Sequence, residues 1–196
     1  GNDSFHLLVN QLISNVEDNA YPDMEAAIEG TKDIINKAVS ELKENINISK
    51  YIKLEPQGVC FSYSHQNGRI VSLVDISCIK EETKQTAQFG NLGTSICMHV
   101  AASKPQYLNR KDIPEAVINT EKEVFMEVLR KEGKPENMLD KIAEGKLNKF
   151  YQMVCLEDQP FVKEPKMSVS KYVESVGKPI EEEFTLNGFF RCELGG

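Results

Sequence analysis

No apolar run in this 196-residue chain approaches the ~18 residues that a membrane-spanning helix requires, and the first residues show neither a basic leader nor an apolar signal segment. The chain therefore reads as soluble. A basic excess is also missing: 23 Lys and Arg stand against 30 Asp and Glu, a net charge of −7. That balance disfavours a duplex nucleic-acid binder, which needs a net basic face to neutralise phosphates, although a local basic patch stays open. The enzyme signatures are absent as well, with no GxxxxGK[ST] phosphate loop, no GxGxxG after a strand, no GxSxG elbow and no HExxH. Histidine is scarce, and none of His6, His65 and His99 has another ligand type at metal spacing, so neither a metal nor a cofactor is expected. The five cysteines, Cys60, Cys78, Cys97, Cys155 and Cys192, are odd in number and widely spaced, without a CxxC pair. They read as free thiols in a reducing cytosol, with a nucleophilic Cys60 or Cys97 as the alternative.

What is present is an ordinary globular composition, 40% hydrophobic, long enough to bury a core as one large domain or two small ones. Asn2, Asp3 and Ser4 offer caps for a first helix in which Phe5, Leu8, Val9, Leu12 and Ile13 share a face. A helix that begins with so little lead-in, behind a lone Gly1 read as a cloning remnant, suggests a fragment of a longer protein. A turn at Asn19 to Asp23 precedes a short helix, Met24 to Ile28. Thr31 is then expected to cap a better helix whose face is Ile34, Ile35, Ala38, Val39 and Leu42. Ile46, Ile48 and the stretch Tyr51 to Leu54 read as the first strand region, bounded by Pro56.

Val59 to Tyr63 and Arg69 to Ile76 form a hairpin in this reading, with Asn67-Gly68 as its turn signal. Lys80 to Gly93 is polar and without period, a loop or frayed helix, before a helix near Ser95 to Ser103 that Pro105 ends. Pro114 is placed for the first position of a helix carrying Val117, Glu121, Val124 and Val128 up to Arg130. Lys131 to Pro135 breaks it, and a second helix follows with Met138, Ile142, Phe150 and Met153 or Val154 as its stripe. The two make an antiparallel helical hairpin with a narrow apolar seam, expected to project; its many charges are either a solvated surface or an arm that reaches a partner. A short helix at Ser168 to Glu174 and an alternating strand, Phe189 to Leu194, with Phe190, Cys192 and Leu194 on one face, close an α+β fold.

Among the polar candidates, His6 reads as partly exposed packing and His99, between Met98 and Val100, as a satisfied core or helix-face histidine. His65 differs, because a hairpin tip leaves a side chain free to touch a partner. Gln159-Pro160-Phe161-Val162 holds apolar residues between prolines, which makes it either an anchor into the body or an exposed contact.

Taken together these residues resemble the elongation factor Ts family of bacteria and organelles, the guanine nucleotide exchange factor for elongation factor Tu. Glu44-Asn45-Ile46-Asn47-Ile48 is similar to the family's segment leading into the first sheet, and Ser62-Tyr63-Ser64-His65 with Gly68-Arg69-Ile70 resembles its hairpin. Met98 to Pro105 resembles its MHVAASKP helix, Gly145 to Phe150 the basic segment on its coiled coil, and Gln159 to Val162 its QPFV loop. The resemblance covers nearly the whole chain, with its motifs in order. It implies two α+β subdomains, each with a small antiparallel sheet: residues 1–56, then 57–113 with 155–196, the latter interrupted by a coiled-coil hairpin at 114–154.

The resemblance also implies a non-covalent role: binding elongation factor Tu with GDP, disturbing its Mg²⁺ and phosphate contacts, and releasing the nucleotide in the cytoplasm or an organelle matrix. The residues matching the family's contacts to the GTPase are His65, Val162 and Lys163, with Leu42 and Lys43 ahead of the Asn45-Ile46 string. Direct nucleic-acid and membrane contacts are not implied; a homodimer through the core is possible in the family. The family's Thr-Asp-Phe-Val wedge and the small helical domain before it have no match here. Lys80 to Gly93 is longer than the usual connection, and Lys163 replaces an often apolar position. The alternative expectation is therefore a docking or dimerisation fragment without exchange activity.

Overall fold

A computed structural model describes residues 3–195, and the chain divides into two compact units, residues 1–55 and 56–196. Asn2, named above as a cap, and Gly1 lie outside the described residues.

The first unit is a pair of helices followed by an extended segment. Helix α1 (Asp3–Asn19) turns inward Leu8, Val9 and Leu12, whereas Phe5 and Ile13 remain exposed. Helix α2 (Met24–Leu42) is one continuous element rather than two. Asp23 caps it by accepting the Ala26 N–H at 2.9 Å, and Thr31 is not a cap but a buried mid-helix residue whose hydroxyl donates to the Ala27 carbonyl at 2.6 Å. That back-bond removes the hydroxyl's competition with the helix, so the helix runs through Thr31. Residues 45–54 form no strand. Ile46 and Ile48 instead line a groove of α2 with Ile28, Thr31 and Ile35, and Tyr51 donates to the Tyr21 carbonyl at 2.9 Å. Their β-branched content fits extended backbone, but a strand needs a neighbour to pair with, and every described strand belongs to the second unit.

In the second unit β1 (Val59–His65) and β2 (Ile70–Cys78) form the expected hairpin. Its loop is four residues long, with Gln66, Asn67 and Gly68 all at positive φ. Helix α3 (Ala87–Ser103) crosses one face of the sheet. It starts eight residues before the sequence pattern suggests, because a 3-10 turn at Glu81–Gln85 delivers Thr86, whose hydroxyl accepts the Phe89 N–H. Gly93 lets α3 approach β1, since a Cβ there would meet the Phe61 ring.

Helices α4 (Glu115–Lys131) and α5 (Glu136–Val154) follow and pack chiefly on each other. Gly133, at φ +71°, closes α4 with a Schellman pair of bonds, Lys134 N to Leu129 O and Gly133 N to Arg130 O. Their seam is Ile118, Phe125 and Leu129 against Leu139, Ala143, Phe150 and Val154. Val124, Val128 and Met138, named above as stripe residues, are exposed instead.

The chain returns through β3 (Pro160–Phe161) and β4 (Glu164–Ser168), a small ribbon, then α6 (Val169–Gly177) and β5 (Phe184–Glu193), which pairs with β2 and completes the sheet order β1-β2-β5. The core joins Val74 and Ile76, Phe89, Leu92 and Ile96 of α3, and Phe161, Val169, Phe184 and Leu186. A bulge opposite Asp75/Ile76 inserts Asn187 and switches the face of β5. Phe189 and Arg191 thereby point toward α3, Arg191 donating to the Ala101 carbonyl at 3.1 Å. Phe190, Cys192 and Leu194 do share a face, but it is the one away from the core. The fold is α+β.

Candidate functional site

His65 ends β1 and is exposed, its ring stacked on Tyr63 at 5.9 Å with the phenol oxygen 3.0 Å from Nδ1. Tyr63 in turn packs on the core, so the histidine stands on a fixed aromatic base at the hairpin tip.

The Gln159 to Val162 loop anchors one apolar residue in the body and leaves the next one exposed. Phe161 is 1% exposed and stacks on Tyr172 with centroids 4.0 Å apart, while the next residue, Val162, is 45% exposed. The split falls at the end of β3: Phe161 is its last residue and faces the core, while Val162 and Lys163 form the turn that leads into β4. Lys163 is exposed and its ammonium donates to Ser95 Oγ at 2.9 Å. The Val162 N–H donates to His99 Nδ1 at 3.1 Å. Ser95 and His99 lie one turn apart on α3, so Val162 and Lys163 are held along one helix face.

Leu42 and Lys43 belong to the other unit. Leu42 is the half-buried last residue of α2, and Lys43 ends the helix in the left-handed conformation, φ 58°, with its N–H on the Val39 carbonyl. The structure thus brings Val162 and Lys163 together and leaves His65 on the hairpin, a separate element.

His99 is wholly buried and hydrogen-bonded on both ring nitrogens, the satisfied core histidine the sequence suggests. Burial pushes its pKa below the ordinary histidine value, against a smaller opposing effect of Gln159. The support that His99 and Gln159 give to Val162 is not apparent from sequence spacing, since 60 positions separate them.

The thiols run against activation. Burial pushes Cys97 up to about 12, and burial with the nearby Asp75 raises Cys60, the opposite of what a nucleophile requires. Among the described residues no group of three or more His, Cys, Asp or Glu is arranged to hold a metal, and no helix is long and apolar enough to cross a membrane.

The base of the α4–α5 pair is tied down by Arg110. Its guanidinium forks onto Asp158 at 2.6 to 3.1 Å, donates to Asn148 at 3.1 Å and lies 4.6 Å over the Tyr151 ring. The same strip of chain exchanges backbone bonds, Tyr107 N to Val154 O and Leu156 N to Tyr107 O.

The family model described as elongation factor TS matches residues 1–196. This chain belongs to the elongation factor Ts family. Among curated relatives, the elongation factor Ts of Halothermothrix orenii is 38% identical over 204 residues, covering 99% of this chain and 64% of its own length. That of Lawsonia intracellularis is 34% identical, covering 96% of this chain and 67% of its own. The protein from Carboxydothermus hydrogenoformans is 35% identical over 176 residues, with 88% and 81% covered. The chain thus spans about two thirds of the length of the first two relatives.

Proposed function

We propose that this chain acts as a guanine nucleotide exchange factor on elongation factor Tu, binding the GDP form and promoting release of the nucleotide during protein synthesis in the cytoplasm. The observation that carries the reading is the loop at Val162: an exposed apolar side chain beside a core-anchored Phe161, held by a buried histidine, as a stiff contact requires. His65 on its Tyr63 base and Lys163 on Ser95 extend the contact within the second unit, and Leu42 with Lys43 supply one from the first. Residues 114–154 serve as a coiled-coil arm to another part of the GTPase, inserted in a subdomain formed by 57–113 and 155–196; residues 1–56 form the other subdomain.

The mechanism is linkage, not covalent chemistry. A factor that binds nucleotide-free elongation factor Tu more tightly than the GDP form weakens the GTPase's grip on GDP by that same factor. No cofactor is needed, and the chain's acidic balance fits a protein partner better than nucleic acid.

The test is stopped-flow release of a fluorescent GDP analogue from purified elongation factor Tu, with and without excess chain, beside a pull-down. Accelerated release supports exchange activity. Binding without acceleration favours the second reading, a docking or dimerisation fragment; absence of binding overturns the exchange reading and the interface assigned to it.

A further inference from the structure

The Gln159 amide settles how protons are arranged around the contact loop. Its nitrogen donates to Met153 O at 2.8 Å and Ser103 O at 3.2 Å, which uses both of its hydrogens. Its oxygen then faces His99 Nε2 at 2.9 Å and must accept, so Nε2 carries the imidazole proton. Nδ1 is left as a lone pair and accepts the Val162 N–H at 3.1 Å. The reverse amide orientation would aim an oxygen at two carbonyls, so one arrangement satisfies every group. His99 is 0% and Gln159 3% exposed, which seals the chain of bonds from competing water.

These bonds connect three elements. Met153 lies in the last turn of α5, Ser103 ends α3, and Val162 is the exposed contact. We propose that Gln159 and His99 are positioning residues that lock Val162 to the end of α5, so that the contact loop and the helical pair meet an apolar surface of the GTPase as one rigid body. The identity of that partner rests on the exchange-factor reading above; the relay itself does not.

Two measurements on the free, full chain address the relay. Imidazole ¹⁵N NMR of the unaltered protein should report a neutral His99 protonated on Nε2, and the opposite tautomer overturns the proposal. Amide hydrogen exchange should then be about tenfold faster at Val162 in His99→Leu, and largely restored in His99→Asn, whose side-chain oxygen can stand where Nδ1 does. Unchanged Val162 protection in His99→Leu, or acceleration shared equally with the core amides of Phe89 and Ile96, overturns it. If His99→Leu does not fold, the tautomer still decides. With elongation factor Tu, His99→Leu should weaken binding roughly fivefold in the native background and have no further effect in Val162→Ala, as coupled residues do. Equal losses in both backgrounds overturn the positioning role, whereas no binding by the unaltered chain sinks the exchange-factor reading and leaves the NMR results to judge the relay.

Discussion

His65 and Val162 are both exposed, but they stand on different supports. His65 leans on an aromatic neighbour two residues away, while Val162 is fixed through its backbone to a buried ring on another element. Neither side chain fills the core, so removing either should cost the fold little. Hypothesis: His65→Ala and Val162→Asp each weaken binding to elongation factor Tu by about tenfold, as hot-spot losses do, with unchanged circular dichroism. Isothermal titration decides it; native affinity in both variants removes these residues from the interface. The sequence identifies the pair for distinct reasons. A hairpin tip is a local feature and legible, whereas the split between buried Phe161 and exposed Val162 depends on where β3 ends against the core and its turn begins.

Helices and strands of this chain are mostly legible where their pattern is local. The β1–β2 hairpin, α3 beyond Ser95, and the α4–α5 pair all arise from periodicity and turn residues such as Gly68 and Gly133. The errors have a common origin in long-range partners. Residues 45–54 have strand composition but no strand to pair with, and α3 begins at Ala87 because Thr83 is pinned by a carboxylate 99 positions away. The seam of α4 is a further case: Val124 and Val128 satisfy the 3.6-residue period as well as Phe125 and Leu129 do, and only the facing Leu139 and Ala143 choose between them. Leu129→Ala should therefore lower stability by about 2 to 4 kcal/mol, while Val128→Ala, already partly exposed, should change it by no more than about 0.5 kcal/mol. Urea unfolding of the two variants measures this, and equal losses would contradict the seam.

Acid response belongs to the molecule as a unit, because two buried groups titrate through folding. Glu182 receives Thr83 Oγ1 at 2.6 Å and the N–H groups of Ile79, Lys80 and Glu183, and these bonds, the threonine's first, hold its pKa down to about 2. His99, pushed down by burial, stays neutral where an unfolded histidine would charge. Both folded values are depressed, so both contributions are complete above the unfolded pKa and are lost on acidification. Unfolding midpoints should be level from pH 8 to about 7, and fall as pH drops below about 6.5 because the unfolded state gains a proton at His99. They should fall again below about 4.5, as Glu182 is protonated on unfolding. The second fall should shrink in Glu182→Gln, and a midpoint that is flat from pH 7.5 to 3.5 would refute the assignment.

The sequence by itself determined the family, the α+β class, the β1–β2 hairpin and the helical pair, because motif order, periodicity and turn chemistry are written in neighbouring residues. Only the tertiary structure decided which side of each apolar stripe is buried, where α3 begins, that β5 switches face at Asn187, and that His99 and Gln159 hold Val162. Those outcomes depend on partners on other elements, from Leu139 facing Leu129 to Gly188 opposite Asp75, brought close by packing rather than by spacing.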